Sequence, residues 1–154
     1  MVKYVFGLNL RREFGLKVDP DARLFVSLGR LVRQKGVDIL ADVAEWLLST
    51  YPEAQLLVIG PPADGFGYYA QRRLEALADL ERFQGRLVAK CEFIEAPSYL
   101  KWGADFCLMP SRDEPFGYVD IEFAWRGAVI VGAQSGVARV VRLLFFCVSL
   151  FKRV

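Results

Sequence analysis

Leu24-Phe25-Val26-Ser27-Leu28-Gly29-Arg30-Leu31-Val32-Arg33-Gln34-Lys35-Gly36 decides how this chain folds. A short apolar run stops at a glycine and a basic loop follows. Val37, Leu40, Val43, Ala44 and Leu47 then recur at helical spacing, so the order is strand, loop, helix. The unit repeats. Gln55-Leu56-Leu57-Val58-Ile59 ends at Gly60-Pro61-Pro62, a loop carries Asp64-Gly65-Phe66-Gly67, and Tyr69 to Phe83 returns to a helical period. Further on, Arg86 to Phe93 reads as a third strand, Pro97 to Trp102 as a short helix and Asp105 to Met109 as a fourth strand. Phe116 to Trp125 reads as a helix, and Ala128 to Val131 as a fifth strand closed by Gly132. Such alternation predicts an α/β fold, a parallel sheet with helices on both faces and ligands at the carboxyl ends of the strands. Residues 1–22 read as an N-terminal linker or helix, 23–136 as the sheet domain and 137–154 as a divergent apolar tail.

Two loops of that carboxyl edge carry charge. Arg30 and Lys35 follow the first strand, and two fixed cations there could clamp a diphosphate. Pro110-Ser111-Arg112-Asp113-Glu114-Pro115-Phe116-Gly117-Tyr118 follows the fourth strand and leads into a helix carrying a second glutamate, Glu122. A helix start offers free backbone N–H groups and a positive dipole end, both suited to phosphate. The pattern points to a sugar-nucleotide pocket.

Composition narrows the alternatives. With 154 residues, 54% of them hydrophobic, the chain can build one substantial core and not two large ones. A net charge of +2 and scattered Lys and Arg residues argue against a nucleic-acid surface. There is no histidine, which excludes a Ser-His-Asp triad, a Cys-His pair and a histidine metal site. Cys91, Cys107 and Cys147 show no CxxC spacing, so a reduced, cytoplasmic setting is expected. Met1 to Leu10 lacks the basic start and apolar core of a signal peptide. Leu143 to Phe151 is strongly apolar but about half the ~20 residues a bilayer span needs, and reads as a buried or misplaced C-terminal helix. Asp19-Pro20-Asp21 reads as a turn before the first strand rather than a metal motif. Trp46, Trp102 and Trp125 read as core or domain-interface packing rather than sugar-stacking platforms.

Several ordered motifs together resemble a known family. Gly29-Arg30 with Gln34-Lys35-Gly36, then Gly103-Ala104-Asp105-Phe106, then Pro110-Ser111-Arg112 with Glu114-Pro115 and Gly117, look like the C-terminal half of the glycogen and starch synthase family of retaining glycosyltransferases. Asp113 and Phe116 bring the stretch closer to the cell-wall α-1,3-glucan synthases of fungi. The resemblance covers roughly residues 9–136.

The resemblance implies a Rossmann-like half of a GT-B hexosyltransferase, which moves glucose from a nucleotide donor to a growing α-glucan with retention of configuration. It implies no metal and no cofactor; the donor would be UDP-glucose, with ADP-glucose as the other candidate. Gly29 would open the donor loop. Arg30 and Lys35 would hold the diphosphate and neutralise charge on the leaving nucleotide. Glu114 would bond hydroxyls of the donor sugar, and the Phe116, Gly117 and Tyr118 amides would lie near sugar and phosphate. Glu122, spaced from Glu114 as in the family's E-x7-E pattern, would face the ribose. The family also implies an α-glucan acceptor and a partner N-terminal domain that this chain lacks, in a parent enzyme that is cytoplasmic-facing and membrane-associated. Two departures stand out: Ser135-Gly136 is followed by Val137-Ala138-Arg139 where the family has a second glycine, and Val140 to Val154 matches nothing expected of it. Both point to a truncated product or fragment, active only with its missing half, or else to an inactive nucleotide-sugar-binding module.

Overall fold

A computed structural model describes residues 2–133; Ser135, Gly136 and the 137–154 stretch, with Cys147, lie outside them. Five strands form one parallel sheet: β1 (Arg23–Leu28), β2 (Ala54–Ile59), β3 (Leu87–Lys90), β4 (Phe106–Met109) and β5 (Val129–Gly132). Their order in space is β3-β2-β1-β4-β5. The chain starts in the middle, builds outward through β2 and β3, then returns to the other side of β1 for β4 and β5. The order therefore reverses between β1 and β4, which is where an open parallel sheet leaves a crevice for ligand at its carboxyl edge.

Both faces of the sheet are covered, which explains why β2 is buried along its whole length. Successive side chains of a strand point to opposite faces. Leu56 and Val58 accordingly pack with α2 (Val37–Thr50) and α3 (Gly65–Ala78), in a cluster with Leu40, Ala44, Leu48, Leu74 and Phe83. Leu57 and Ile59 point the other way, into a cluster with Leu24, Val26, Cys107, Leu100 and Phe123. That second layer is built from α1 (Val2–Phe14), α4 (Leu100–Gly103) and α5 (Tyr118–Trp125), and α1 contributes Leu10 and Phe14 to it.

Several boundaries differ from the sequence reading, each for a local reason. α3 begins at Gly65 rather than Tyr69, because Asp64 caps it: its Oδ1 accepts the Gly67 N–H at 2.8 Å. It stops at Ala78, and a separate 3₁₀ turn, Glu81–Phe83, carries Phe83 into the core. β3 is confined to Leu87–Lys90. α5 starts at Tyr118 because Gly117, with φ at 81°, holds the left-handed conformation at its N-cap. On α2 the buried stripe is Val37, Leu40, Ala41, Ala44 and Leu48, while Val43 faces solvent. The tryptophans are not core residues. Trp46, Trp102 and Trp125 are all exposed, Trp125 by 84%, since each lies off the buried face of its helix. Asp19-Pro20-Asp21 is a turn in which the Asp19 carboxylate accepts the Asp21 N–H at 2.9 Å. No helix among the described residues is long and apolar enough to cross a membrane.

α1 is tied in by more than apolar contact. The buried Arg11 donates from Nε to Gln55 Oε1 and from Nη2 to the Ala22 carbonyl, both at 2.7 Å, fixing the helix to the start of β1 and β2. Leu10→Ala, at a site with no solvent exposure, is expected to lower the stability of the chain by about 3 kcal/mol in urea unfolding, with the slope unchanged. A loss below ~0.5 kcal/mol would show that α1 is an accessory rather than part of the folded unit.

Candidate functional site

The loop after β1 is fastened on both sides. Towards β2, Leu31 donates its N–H to the Pro61 carbonyl at 2.9 Å and accepts from Ala63 N at 3.1 Å, and the Arg33 N–H reaches Asp64 Oδ2 at 2.8 Å. Towards β4, the Gln34 carbonyl accepts the Arg112 N–H at 2.8 Å while Gln34 Nε2 donates to the Asp113 carbonyl at 3.1 Å. Arg112 spans the same gap with its side chain. Its Nη1 and Nη2 fork onto Asp38 Oδ1 and Oδ2 at 2.6 and 2.7 Å, and Nη1 also reaches the Arg33 carbonyl at 2.9 Å. That bidentate bond, the largest influence on Asp38, holds its carboxyl below the usual carboxylate value. Asp64 is lowered too, chiefly by the Arg33 N–H.

The approach of the two loops depends on Gly36. It stands at φ 65°, and a Cβ there would lie 2.0 Å from the Pro110 carbonyl oxygen, a distance no side-chain atom can occupy. With the gap closed, Lys35 Nζ donates to Glu114 Oε2, and Ser111 Oγ bonds the same oxygen at 3.3 Å. Glu114 is itself buried, at 8% exposure. Lys35 and Glu114 line a cavity of about 330 Å³ with Met109, Pro115, Phe116, Gly117, Tyr118 and Val119, so the start of α5 forms its wall. The Phe116 and Tyr118 rings, with centroids 4.3 Å apart, lie largely exposed at this wall.

Of the residues picked out from sequence, Lys35, Glu114, Phe116, Gly117 and Tyr118 meet at this cavity, and Gly29, Arg30 and Glu122 do not line it. Gly29 ends β1, its N–H bonded to the Ile59 carbonyl at 3.0 Å. Arg30 is exposed on the same loop, with no ion-pair partner among the described residues. Glu122 is half-exposed one turn along α5 and pairs with Lys101 of α4 at 2.7 Å. Its present role is to hold two helices together rather than to face the cavity.

One buried acid behind the cavity wall, next to Gly117, is not singled out by the sequence. Asp120, in the first turn of α5, is buried at 7% exposure, and its Oδ1 has no hydrogen-bond partner among the described residues. Burial, and secondarily the charge of Glu114, push its carboxyl up to about 6, against a smaller opposing pull from Lys35. The sequence carried no signal for it, because an acid in the first turn of a helix ordinarily favours the dipole and stays in solvent. The cysteines are chemically quiet: burial lifts Cys91 to about 11 and raises Cys107 further.

Asp120 gives the fold a pH signature. Its folded value, about 6, lies above the ordinary 3.8, so the folded state holds its proton more tightly than the unfolded one. The associated stability is complete below about pH 4 and is lost as pH rises through 6. At about 1.4 kcal/mol per pH unit between the two values, the loss is on the order of 3 kcal/mol. Asp120→Asn is therefore expected to gain stability on the parent chain as pH goes from 4 to 7, read as a widening difference in urea midpoint; a constant difference would contradict the placement of this carboxyl.

Comparison with known proteins bears on the same edge of the sheet. The model of family 4 glycosyltransferases in conflict systems matches residues 4–147. Two cell wall α-1,3-glucan synthases of Schizosaccharomyces pombe are 41% and 45% identical over 121 residues, 79% of this chain and 5% of each synthase. A glycogen synthase of Pasteurella multocida is 35% identical over 136 residues, 86% of this chain and 26% of that enzyme. Among solved structures, the catalytic domain of starch synthase IV from Arabidopsis thaliana, bound to ADP and acarbose, superposes with a TM-score of 0.75 at 22% identity, over 90% of this chain and 27% of that one. HepE of Anabaena in complex with UDP-glucose gives 0.67 at 22% identity, over 90% and 37%. These neighbours share the Rossmann-like fold of GT-B glycosyltransferases. The chain spans only a small part of its relatives, from 5% of the glucan synthases to about a quarter of the glycogen synthases. It belongs to the family 4 glycosyltransferases and is homologous to the fungal α-1,3-glucan synthases and bacterial glycogen synthases.

Proposed function

We propose that the cavity between the β1 and β4 loops binds the diphosphate and sugar of a nucleotide-glucose donor, for retaining transfer of glucose to an α-glucan. The observation that carries this reading is the Lys35–Glu114 pair, a cation and a carboxylate held together at the start of α5. A diphosphate needs fixed positive charge and free N–H groups, which Lys35 and the first turn of α5 supply. A sugar needs hydrogen-bond acceptors for its hydroxyls, which Glu114 supplies. Arg30, exposed on the loop that bears Lys35, is the second cation available to the phosphates. Glu122 would reach a ribose only by leaving Lys101.

The chemistry breaks the bond between glucose C1 and the phosphate oxygen and forms one from C1 to an acceptor hydroxyl on the same face. The acceptor proton passes to the departing phosphate. Lys35 and Arg30 act as catalytic groups by stabilising negative charge as it builds on that oxygen. Glu114 orients the ring. The reading calls for no resident metal or cofactor. UDP-glucose is the favoured donor through the similarity to the glucan synthases, with ADP-glucose the alternative. The acceptor and the remaining catalytic groups belong to a second domain facing this edge, in keeping with the much greater length of the relatives. We assign the work to the cytoplasmic side of the cell, with the parent enzyme membrane-associated.

Calorimetric titration with UDP-glucose and ADP-glucose tests the reading. Removing Lys35 and Glu114 together, by Lys35→Ala with Glu114→Ala, avoids stranding one buried charge and keeps the variant folded. Saturable binding is expected for the parent chain, weakened about 10- to 100-fold or more in the double variant, as expected for loss of charge-assisted hydrogen bonds. Equal affinity for both proteins would refute the assignment.

A further inference from the structure

Asp120 has no part in the donor reading so far, yet it lies against the groups that do. A Cβ built on Gly117 would stand 3.1 Å from Asp120 Oδ2 and 3.5 Å from Glu114 Cγ, so the two acid side chains flank the same glycine at the cavity wall. Glu114 is neutralised by Lys35 and bonded by Ser111, whereas Asp120 Oδ1 receives no hydrogen bond from the described residues. A buried carboxylate left in this state is costly in ionised form, because no donor replaces the water it lost.

The charged groups around it come from several elements. Glu114, on the β4–α5 loop, disfavours its ionised form, and Lys35, on the 3₁₀ turn Arg33–Lys35, favours it. On the sheet side, the Cys107 thiol of β4 is raised chiefly by burial and then by Asp120, and is lowered by Lys101 of α4, which is itself paired with Glu122 of α5. Lys35 is thus the cation that acts on Asp120 most directly. It is also the cation that a bound diphosphate would engage.

We propose that Asp120 is a proton-accepting positioning residue of the donor pocket, and that binding of a nucleoside diphosphate sugar drives a proton from solvent onto its carboxylate. The inference rests on the donor reading of the cavity. The arriving diphosphate brings two negative charges and draws on Lys35, and both changes disfavour a second carboxylate beside Glu114. Once protonated, Asp120 becomes a hydrogen-bond donor, and one negative charge fewer lies behind the pocket wall at Gly117. Donor affinity then falls as pH rises, because binding consumes a proton.

UDP-glucose is the suitable probe, since its diphosphate is esterified at both ends and does not itself titrate near neutrality. Calorimetry at pH 6.5 in two buffers of different ionisation enthalpy counts the protons taken up. The parent chain is expected to take up roughly half a proton per ligand and to lose affinity two- to threefold per pH unit between 6 and 7. Asp120→Asn is expected to bind with no proton uptake and a flat pH profile. Equal uptake by both proteins, or none by the parent chain, would overturn the inference while leaving the donor site standing. Failure of both folded proteins to bind UDP-glucose would reject the donor reading, and this inference with it.

Discussion

The site depends on two loops from opposite sides of the sheet's central gap being brought into contact. Strand order sets their neighbourhood, since β1 and β4 are adjacent although they lie far apart in sequence. Side chains alone would not bring them close enough. The backbone at Gly36 runs so near Pro110 that not even a methyl group fits between them, and the polar seam through Gln34, Arg112 and Asp38 locks the approach. Lys35 and Glu114 meet as a consequence. The pair is thus pre-assembled before any ligand arrives, which lowers the entropy that a ligand would have to supply in ordering it.

The remainder of the fold can be read as support for that seam. α2 leads directly away from Gly36 and packs with α3 on one face, while α5 leads away from Gly117 and rests on β4 through Phe123. α1 closes the second face and is fixed through Arg11 to the amino ends of β1 and β2, at the edge opposite the site. Asp120 shows the cost of the arrangement: a buried acid with no hydrogen-bond donor on one oxygen among the described residues, in the same turn of helix that walls the cavity. Such a group lowers stability at neutral pH, and binding sites commonly hold groups of this kind because the same strain responds to ligand.

Much of this was legible in the sequence because the strands are short apolar runs ended by glycine or proline, and the helices carry a stripe at a period of 3.6. Five parallel strands follow from the alternation. The loops carrying Lys35 and Glu114 were placed on one edge by the same logic, and the ordered motifs identified the family. What escaped was three-dimensional. The cap at Asp64 lies five residues ahead of Tyr69, where the helical period becomes readable, α5 waits for Gly117 to turn the chain, and the tryptophans are placed by which side of a helix faces water. Glu122 looks like a partner of Glu114 by spacing but is held aside by Lys101, a residue whose position only the packing of α4 on α5 reveals. Asp120 looks like any acid at a helix start, and its burial beside Gly117 and Glu114 is visible only in the folded chain.

The most direct test is the crystal structure of the chain grown with UDP-glucose. The account predicts a diphosphate oxygen within about 3 Å of Lys35 Nζ and a glucose hydroxyl on Glu114, at the start of α5. A second opening, of about 270 Å³, lies at the opposite, amino end of the sheet, lined by Lys3, Arg11, Arg23 and Asp105. Ligand bound there, with the Lys35–Glu114 pair untouched, would contradict the account.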